Sequence, residues 1–167
     1  AGALADAIAV QAGAKPIAVG ASLGGIASLL AQGEADRFAA LILVDVTPSL
    51  NEDGVARVHR FMTDRLADGF ASLEEAAEAV AAYLPNRRPS GSSKGLAKNL
   101  RRSADGRYRW HWDPAFIDGP NSVAMRRDAA RTAMIAAAQA LTIPTLLVRG
   151  GRSDMVTSAE IDEFRSL

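Results

Sequence analysis

Short unbroken apolar runs alternate with segments whose apolar residues recur at helical spacing, and this pattern predicts a parallel sheet packed against helices. Three runs, residues 16–20, 40–45 and 144–150, are typical of strands that are buried on both faces. Between the first two runs, apolar residues at helical spacing predict a helix over residues 23–32 that stops at Gly33. We therefore expect an α/β fold with a three-stranded parallel sheet flanked by helices, in which the run at 40–45 is the middle strand.

The residues that follow the second strand have a different character. Ser72 and Glu75 have the spacing of a helix capping box, and an apolar stripe at helical spacing follows them. Residues 85–95 are rich in Pro, Gly and Ser, which predicts a loop, and alternating aromatic residues over 106–114 indicate an extended segment. The chain is thereby divided into a core segment, a mostly helical cap insertion and a resumed core segment, at 1–47, 48–119 and 120–167.

Both ends of the chain lie inside expected helices. Residues 1–13 have the apolar spacing of a helix, and a further helix is expected over 122–140. Residues 157–160 form a capping box that opens a last helix, with Ile161 and Phe164 facing inward. Because the chain begins and ends within helices, we expect it to be a piece of a longer protein.

Composition excludes several classes of function. The 19 basic and 19 acidic residues cancel, so the net charge favours neither nucleic acid nor an anionic membrane as a partner. There is no cysteine, which excludes disulfides and thiolate metal sites, and no other metal-ligand spacing is present. The apolar runs are too short to span a bilayer, and no signal peptide is visible. We expect a cytoplasmic protein without a metal or an organic cofactor.

The most informative motif is Gly20-Ala21-Ser22-Leu23-Gly24, which lies where the first strand meets the following helix. A sharp turn from strand to helix would strain the serine backbone and lift its hydroxyl clear of the sheet. Side chains at positions 20 and 24 would crowd such a turn, which accounts for both glycines. The helix that begins at Leu23 would direct its free N–H groups and positive dipole end toward the serine oxygen. Alternatively, Ser22 is a helix N-cap after a glycine turn.

With this motif between a buried strand and a helix, and with two further strands, the chain resembles the α/β-hydrolase family. The resemblance implies that Ser22 is the nucleophile of a catalytic triad and that the Leu23 N–H is half of an oxyanion hole. It also implies an acid after the third strand, where Asp154 matches, unless this residue is only a turn aspartate. Asp45, at the end of the middle strand, is the alternative acid or else a loop-capping carboxylate.

No histidine of this chain lies at the position where the family has its catalytic base. The two histidines, His59 and His111, both lie in the insertion and before the acid, whereas the family histidine follows the acid. His59 is therefore interpreted as a solvated helix residue and His111 as a residue that packs the cap. We expect the catalytic histidine beyond Leu167 and a second oxyanion donor before Ala1, so that the chain lacks the N-terminal strands and the C-terminal histidine segment of the fold.

The resemblance implies a hydrolase of the esterase type, which cleaves an ester, a lactone or a related acyl compound through an acyl-enzyme. Alternatives are cofactor-free perhydrolase (haloperoxidase-like) activity, hydrolysis of carbon–carbon bonds, and a scaffold or fragment without chemistry. The expected partner is a small acyl compound, and the candidates for lining its pocket are His111, Trp110 and Trp112. No nucleic acid or membrane partner is expected, and unpaired strand edges would favour self-association.

Overall fold

The computed structural model of the protein describes residues 1–85, 93–117 and 127–167. The chain divides into two compact units. The first unit contains Ala1–Ala56 and Arg126–Leu167, and the second contains Arg57–Met125. The predicted domain boundaries at 47/48 and 119/120 stay a prediction. Most of the predicted loop at 85–95 and the start of the predicted helix at 122–140 lie outside the described residues.

Helices and parallel strands alternate in the first unit. Its elements, in chain order, are α1 Gly2–Ala12, β1 Ile17–Ala21, α2 Leu23–Glu34, β2 Ala40–Val44, the start of α3 Glu52–Thr63, α6 Arg127–Gln139, β5 Thr145–Val148 and α7 Ser158–Ser166. The second unit contains the rest of α3, then α4 Leu73–Tyr83, a 3₁₀ helix Ser93–Asn99, β3 Leu100–Arg102, β4 Tyr108–Trp110 and α5 Pro114–Ile117.

The three predicted strands form one parallel sheet in the order β1-β2-β5, which confirms the expected fold class. Ile17 pairs with Ala40, and Leu41 pairs with Thr145, so β2 is hydrogen-bonded on both sides. Leu41 and Leu43 of this central strand are each only 1% exposed. The carboxyl ends of all three strands meet at one edge of the sheet, which is where open α/β sheets place their sites.

Helices α2 and α6 pack closely in the core of the first unit, and one glycine permits the approach. A Cβ atom at Gly33 would lie 2.6 Å from the Cβ of Ala137 in α6. The prediction that Gly33 stops α2 is wrong, because the helix continues to Glu34 and ends at the extended residue Ala35. Gly33 is therefore a packing residue, and the pattern that suggested a stop reflects a close contact between helices.

The first and last helices begin or end as predicted, but their apolar residues are less buried than expected. Gly13 ends α1 with a φ of 67°, the left-handed conformation typical of a helix C-terminus. Thr157 and Glu160 form the predicted capping box at the start of α7. Ile161 and Phe164 line a groove with residues of β5, but this groove is open and both side chains are only half-buried.

The second unit has its own aromatic core. Phe70, Ala76, Leu100 and Trp110 are buried together, and Trp110 meets the Phe70 ring edge-on at 5.4 Å. The predicted cap at the start of α4 is present, because the Ser72 hydroxyl accepts the N–H of Glu75. The segment predicted to be extended over 106–114 is shorter than expected, since β4 covers only Tyr108–Trp110 and pairs antiparallel with β3.

The arginines of the aromatic segment hold the connection between α3 and α4. Arg107 donates to the carbonyls of Asp68 and Gly69, and Arg109 donates to the carbonyl of Ala67. Arg109 also binds the carboxylate of Asp105, and this side chain, together with the N–H of Arg107, lowers the pKa of Asp105 to about 2. Arg107 and Arg109 thus make their hydrogen bonds within the second unit.

Within the described ranges, no helix is long and apolar enough to cross a membrane.

Candidate active site

Ser22 occupies a strained turn between β1 and α2. Its backbone has a φ of 49° and a ψ of −124°, a conformation that costs a non-glycine residue about 1–3 kcal/mol. The residue is exposed, and its hydroxyl makes no capping hydrogen bond to the helix. Ser22 does occupy the N-cap position of α2, where its carbonyl accepts the N–H of Ile26 at 3.0 Å, but the alternative role of its side chain as a cap is not observed. An exposed hydroxyl on a strained turn, just before the N-terminus of a helix, is what a nucleophile elbow requires.

Two glycines permit this turn, and only one of them, Gly20, is among the two predicted from the motif. A Cβ atom at Gly20 would lie 2.5 Å from the backbone of Gly24 and Gly25, so β1 and α2 meet there without space for a side chain. A Cβ atom at Gly25 would lie 2.5 Å from Val46 and 2.9 Å from the carbonyl oxygen of Gly20. At Gly24 nothing lies within 4 Å, so the prediction that position 24 needs glycine to avoid crowding is wrong.

The two helical glycines give a prediction with a matched control. We expect Gly25→Ala to lower the free energy of unfolding by about 1–3 kcal/mol, because the methyl group overpacks the contact between α2 and the end of β1. Gly24→Ala should be neutral or stabilising by up to about 1 kcal/mol, because the methyl group enters open space in a helix. Urea denaturation of both variants measures the difference, and equal destabilisation would contradict the geometry of the turn.

Asp45 lies directly after β2 and is bound to the loop that follows β5. Its backbone has a φ of 54°, and its N–H donates to the carbonyl of Val148 at 2.8 Å. One carboxylate oxygen accepts the N–H of Gly150 at 3.1 Å, and the other accepts the hydroxyl of Ser153 at 2.8 Å. The alternative interpretation of Asp45 as a loop-capping carboxylate agrees with these contacts.

Asp154 lies in the same loop, between β5 and α7, and the backbone around it is closely packed. The N–H of Asn51 donates to the carbonyl of Met155 at 2.9 Å. A Cβ atom at Gly54, in the first turn of α3, would lie 2.2 Å from the carbonyl oxygen of Asp154. Arg149 donates to the carbonyl of Val156 at 2.6 Å. The loop is therefore held from several sides at the carboxyl edge of the sheet.

The strand order places Ser22 and Asp154 on either side of β2. Ser22 follows β1, Asp154 follows β5, and each of these strands neighbours β2. Two strand spacings amount to about 10 Å. The strands that lead to Ser22 and Asp154 therefore end at the same edge of the sheet, and their separation exceeds one hydrogen bond of about 2.8 Å.

The histidines and tryptophans singled out from the sequence belong to the second unit. His59 is an exposed residue of α3, and His111 is an exposed residue after β4 whose N–H donates to the carbonyl of Asn99. Trp110 is buried, Trp112 is half-buried, and their rings stack with centroids 4.7 Å apart. That His111, Trp110 and Trp112 line a substrate pocket stays a prediction. In the described part of the chain, no cluster of His, Cys, Asp or Glu could hold a metal ion.

Comparisons with known proteins give a consistent set of relatives. No protein-family model matches the chain. The chain is 31% identical over 151 residues to Esterase Rv0045c of Mycobacterium tuberculosis, an alignment that covers 87% of this chain and 47% of that protein. The chain thus spans about half the length of the curated relative it matches. The crystal structure of that esterase is similar with a TM-score of 0.65 and 28% identity, covering 98% of this chain and 53% of the other.

Two more distant solved structures are similar in fold. The structure of E-2-(acetamidomethylene)succinate hydrolase has a TM-score of 0.69 at 22% identity, covering 97% of this chain and 59% of the other. The thioesterase domain from the curacin biosynthetic pathway has a TM-score of 0.60 at 19% identity, covering 98% and 61%. At these identities the similarity concerns the fold alone, and it includes the arrangement of parallel strands and helices described above.

Proposed function

Because the chain belongs to the α/β-hydrolase fold family, we propose that the protein is a serine hydrolase that cleaves an ester or a related acyl compound. The observation that carries this proposal is the backbone of Ser22, which is strained, exposed and placed between a parallel strand and a helix N-terminus. Helix capping does not account for the strained turn, since the hydroxyl makes no capping hydrogen bond. The relative named as an esterase supports ester chemistry.

In the proposed mechanism, the Ser22 hydroxyl oxygen attacks the substrate carbonyl, and its proton passes to a histidine. The carbonyl oxygen becomes an oxyanion that accepts a hydrogen bond from the N–H of Leu23, the first residue of α2, and is stabilised by the helix dipole. The histidine returns its proton to the leaving alcohol, and an acyl-enzyme remains. Water, deprotonated by the same histidine, then releases the acid and restores Ser22.

Asp154 is proposed to orient that histidine and to stabilise its charged form. Neither His59 nor His111 stands in the family position, which follows the acid in the chain. The histidine is therefore proposed to come from outside residues 1–167, and so is the second oxyanion donor. This proposal agrees with the length of the curated relative, of which the chain covers 47%.

Covalent labelling tests the proposal without requiring the natural substrate. A fluorophosphonate probe reacts with an activated serine, so the full-length protein should be labelled on the peptide that contains Ser22. Ser28→Ala is the matched control, because this serine lies in the same helix and its hydroxyl is engaged with the carbonyl of Gly24 at 2.9 Å. We expect Ser22→Ala to abolish labelling and Ser28→Ala to retain it. A folded full-length protein that is not labelled would favour the alternative of a scaffold without chemistry.

A separate prediction concerns residues 1–167 expressed alone. The outer strands of the sheet expose apolar side chains, since Val19 of β1 is 67% exposed and Leu146 of β5 is 54% exposed. An open groove of about 500 Å³ also lies beside β5. Unpaired apolar strands are sites of edge-to-edge association. We expect this segment to self-associate in size-exclusion chromatography and to show no ester turnover above background.

Single lysine substitutions distinguish association through the strand edges from association through other exposed apolar residues. Val19→Lys places a charge on the outer strand β1 and should reduce association of the isolated segment. Val10→Lys changes an even more exposed apolar residue, at 86%, but on helix α1. It should leave association unchanged. A segment that is monomeric and hydrolyses ester in a Ser22-dependent manner would contradict the prediction and would make a histidine within residues 1–167 the base.

A further inference from the structure

The two carboxylates considered for the catalytic acid have different surroundings. Both oxygens of Asp45 are occupied by the β5–α7 loop, one by the N–H of Gly150 and one by the hydroxyl of Ser153. The N–H of Asp45 holds the end of β5 through the carbonyl of Val148. Asp45 thus binds the neighbouring strand and the loop after it, through main chain and side chain together. These are the contacts of a residue that fixes a loop.

Ser153 connects Asp45 to the backbone that follows Asp154. Its hydroxyl donates to Asp45 and accepts the N–H groups of Met155 and Val156, at 3.2 Å and 3.1 Å. Its own N–H donates to the carbonyl of Gly150 at 3.0 Å. A serine hydroxyl has one proton to donate and two lone pairs to accept with, so all three bonds use its full capacity. The two residues directly after Asp154 are therefore held by the hydroxyl of the residue directly before it, and Asp45 sets the direction of that hydroxyl.

The backbone of Asp45 is strained, so the contacts between Asp45 and the β5–α7 loop are maintained at a cost in conformational energy. A φ of 54° is unfavourable for a non-glycine residue and persists where surrounding contacts over-determine it. The carboxylate contacts reach across 105 and 108 residues of sequence to Gly150 and Ser153. Aspartate tolerates the left-handed region better than most residues, and its two acceptor oxygens match the two donors that the loop presents.

We propose that Asp45 is a positioning residue that acts through Ser153 to hold the Asp154 carboxylate in place for the catalytic histidine. The proposal rests on the proposed function, in which Asp154 is the acid. It assigns distinct roles to the two aspartates, with Asp154 orienting the base and Asp45 fixing the loop that carries Asp154. Supporting partners of this kind keep an active-site group within a few tenths of an ångström of its productive position.

The kinetic test uses the full-length protein and a p-nitrophenyl ester. We expect Ser153→Ala and Asp45→Ala each to lower kcat by about 10-fold to 100-fold, the range known for removal of second-layer partners at metal sites, with KM changed by less than about twofold. Ser49→Ala is the matched control, because this buried serine of the same unit bonds to Glu163 and Arg131 instead of the acid loop. It should leave kcat within about twofold of wild type, whatever its effect on melting temperature.

Coupling to Asp154 separates positioning from loss of stability. In the Asp154→Asn background, Ser153→Ala should cause no further loss of kcat, because the group it positions has been removed. Turnover by Ser22→Ala gives the floor for this measurement. An equal loss in both backgrounds would overturn the proposal, and so would an unchanged kcat in the wild-type background. An Asp154→Asn variant with wild-type kcat would remove the acid from the mechanism and the positioning role with it.

Hydrogen exchange tests the hydrogen bonds that Ser153 makes to Met155 and Val156, and the measurement does not depend on activity. Asp45→Ala should accelerate exchange at the N–H groups of Met155 and Val156, because the Ser153 hydroxyl loses the acceptor that fixes its direction. Unchanged exchange at these two amides would overturn the proposal, even if the protein is a hydrolase. Conversely, wild-type turnover by Ser22→Ala with accelerated exchange in Asp45→Ala would show that the proposed function failed while the loop is fastened as described.

Discussion

Replacement of Ser22 by alanine in the full-length protein is expected to lower kcat for ester hydrolysis by about four orders of magnitude or more, with little change in stability. Alanine keeps the Cβ atom of serine, so the strained backbone of the turn meets the same steric environment. Only the hydroxyl is lost, and with it the covalent step of the mechanism. The remaining rate would come from substrate binding and from the Leu23 N–H.

Steady-state kinetics and thermal unfolding of the same preparations check this expectation. Ser28→Ala serves again as the control, because it removes a hydroxyl from the same helix while leaving the turn intact. Its kcat should remain within a few-fold of wild type. Ester turnover at the wild-type rate in Ser22→Ala would remove Ser22 from the chemistry and with it the proposed function.

The second large effect is expected from Asp154. Asp154→Asn should lower kcat by about 10³–10⁴-fold, because an amide cannot stabilise a charged histidine and favours the wrong tautomer. Asp45→Asn should cost about 10-fold or less, because the amide oxygen can still accept the N–H of Gly150 and only the bond to Ser153 is disturbed. The ranking of these two substitutions identifies the acid.

The two variants control for each other, since each replaces an aspartate by asparagine at the same edge of the sheet. Circular dichroism of each variant should show a folded protein. If Asp45→Asn is the more damaging of the two, the acid lies at the end of β2, and Asp154 is the turn aspartate of the alternative interpretation. Equal and small effects would contradict a triad that includes either residue.

The sheet could be predicted from the sequence because its signals are local. Each strand is a short unbroken apolar run, and a strand of a parallel sheet that is covered on both faces needs that composition regardless of its neighbours. The observed bounds, Ile17–Ala21, Ala40–Val44 and Thr145–Val148, agree with the runs to within a few residues. The capping residues Ser72 and Thr157 were likewise predictable, because a cap is formed within one helical turn.

The errors concern close approaches between elements, which no local pattern encodes. Whether Gly24 or Gly25 meets the strand depends on which helix face points at β1, and the motif alone does not specify this. Gly33 has the local appearance of a helix end, but its partner Ala137 lies far along the chain. Hairpin formation by β3 was not predicted, because its three residues are too short for a periodic signal.

Parts of the site were also beyond prediction from sequence. Ser22 was predicted from the motif after the first strand, and Asp154 from the resemblance to the family, which implies an acid in the loop after the third strand. Ser153 was missed, although it is the neighbour of Asp154. Its three hydrogen bonds join Asp45, Met155 and Val156, and the first of these spans 108 residues. The signal that could have found it is the run of small and polar residues after β5, which is typical of a loop whose side chains bond to their own backbone.

The aromatic core of the second unit determines what optical spectroscopy can report. The chain has two tryptophans and two tyrosines, and all four lie within Arg57–Met125. The indole rings are stacked 4.7 Å apart at 16°, close enough for their strong far-ultraviolet transitions to couple. The tryptophan and tyrosine fluorescence of this chain therefore arises from the second unit. Because the unit that carries Ser22 contributes neither of these fluorophores, its folding in a variant has to be followed by another signal, such as far-ultraviolet circular dichroism.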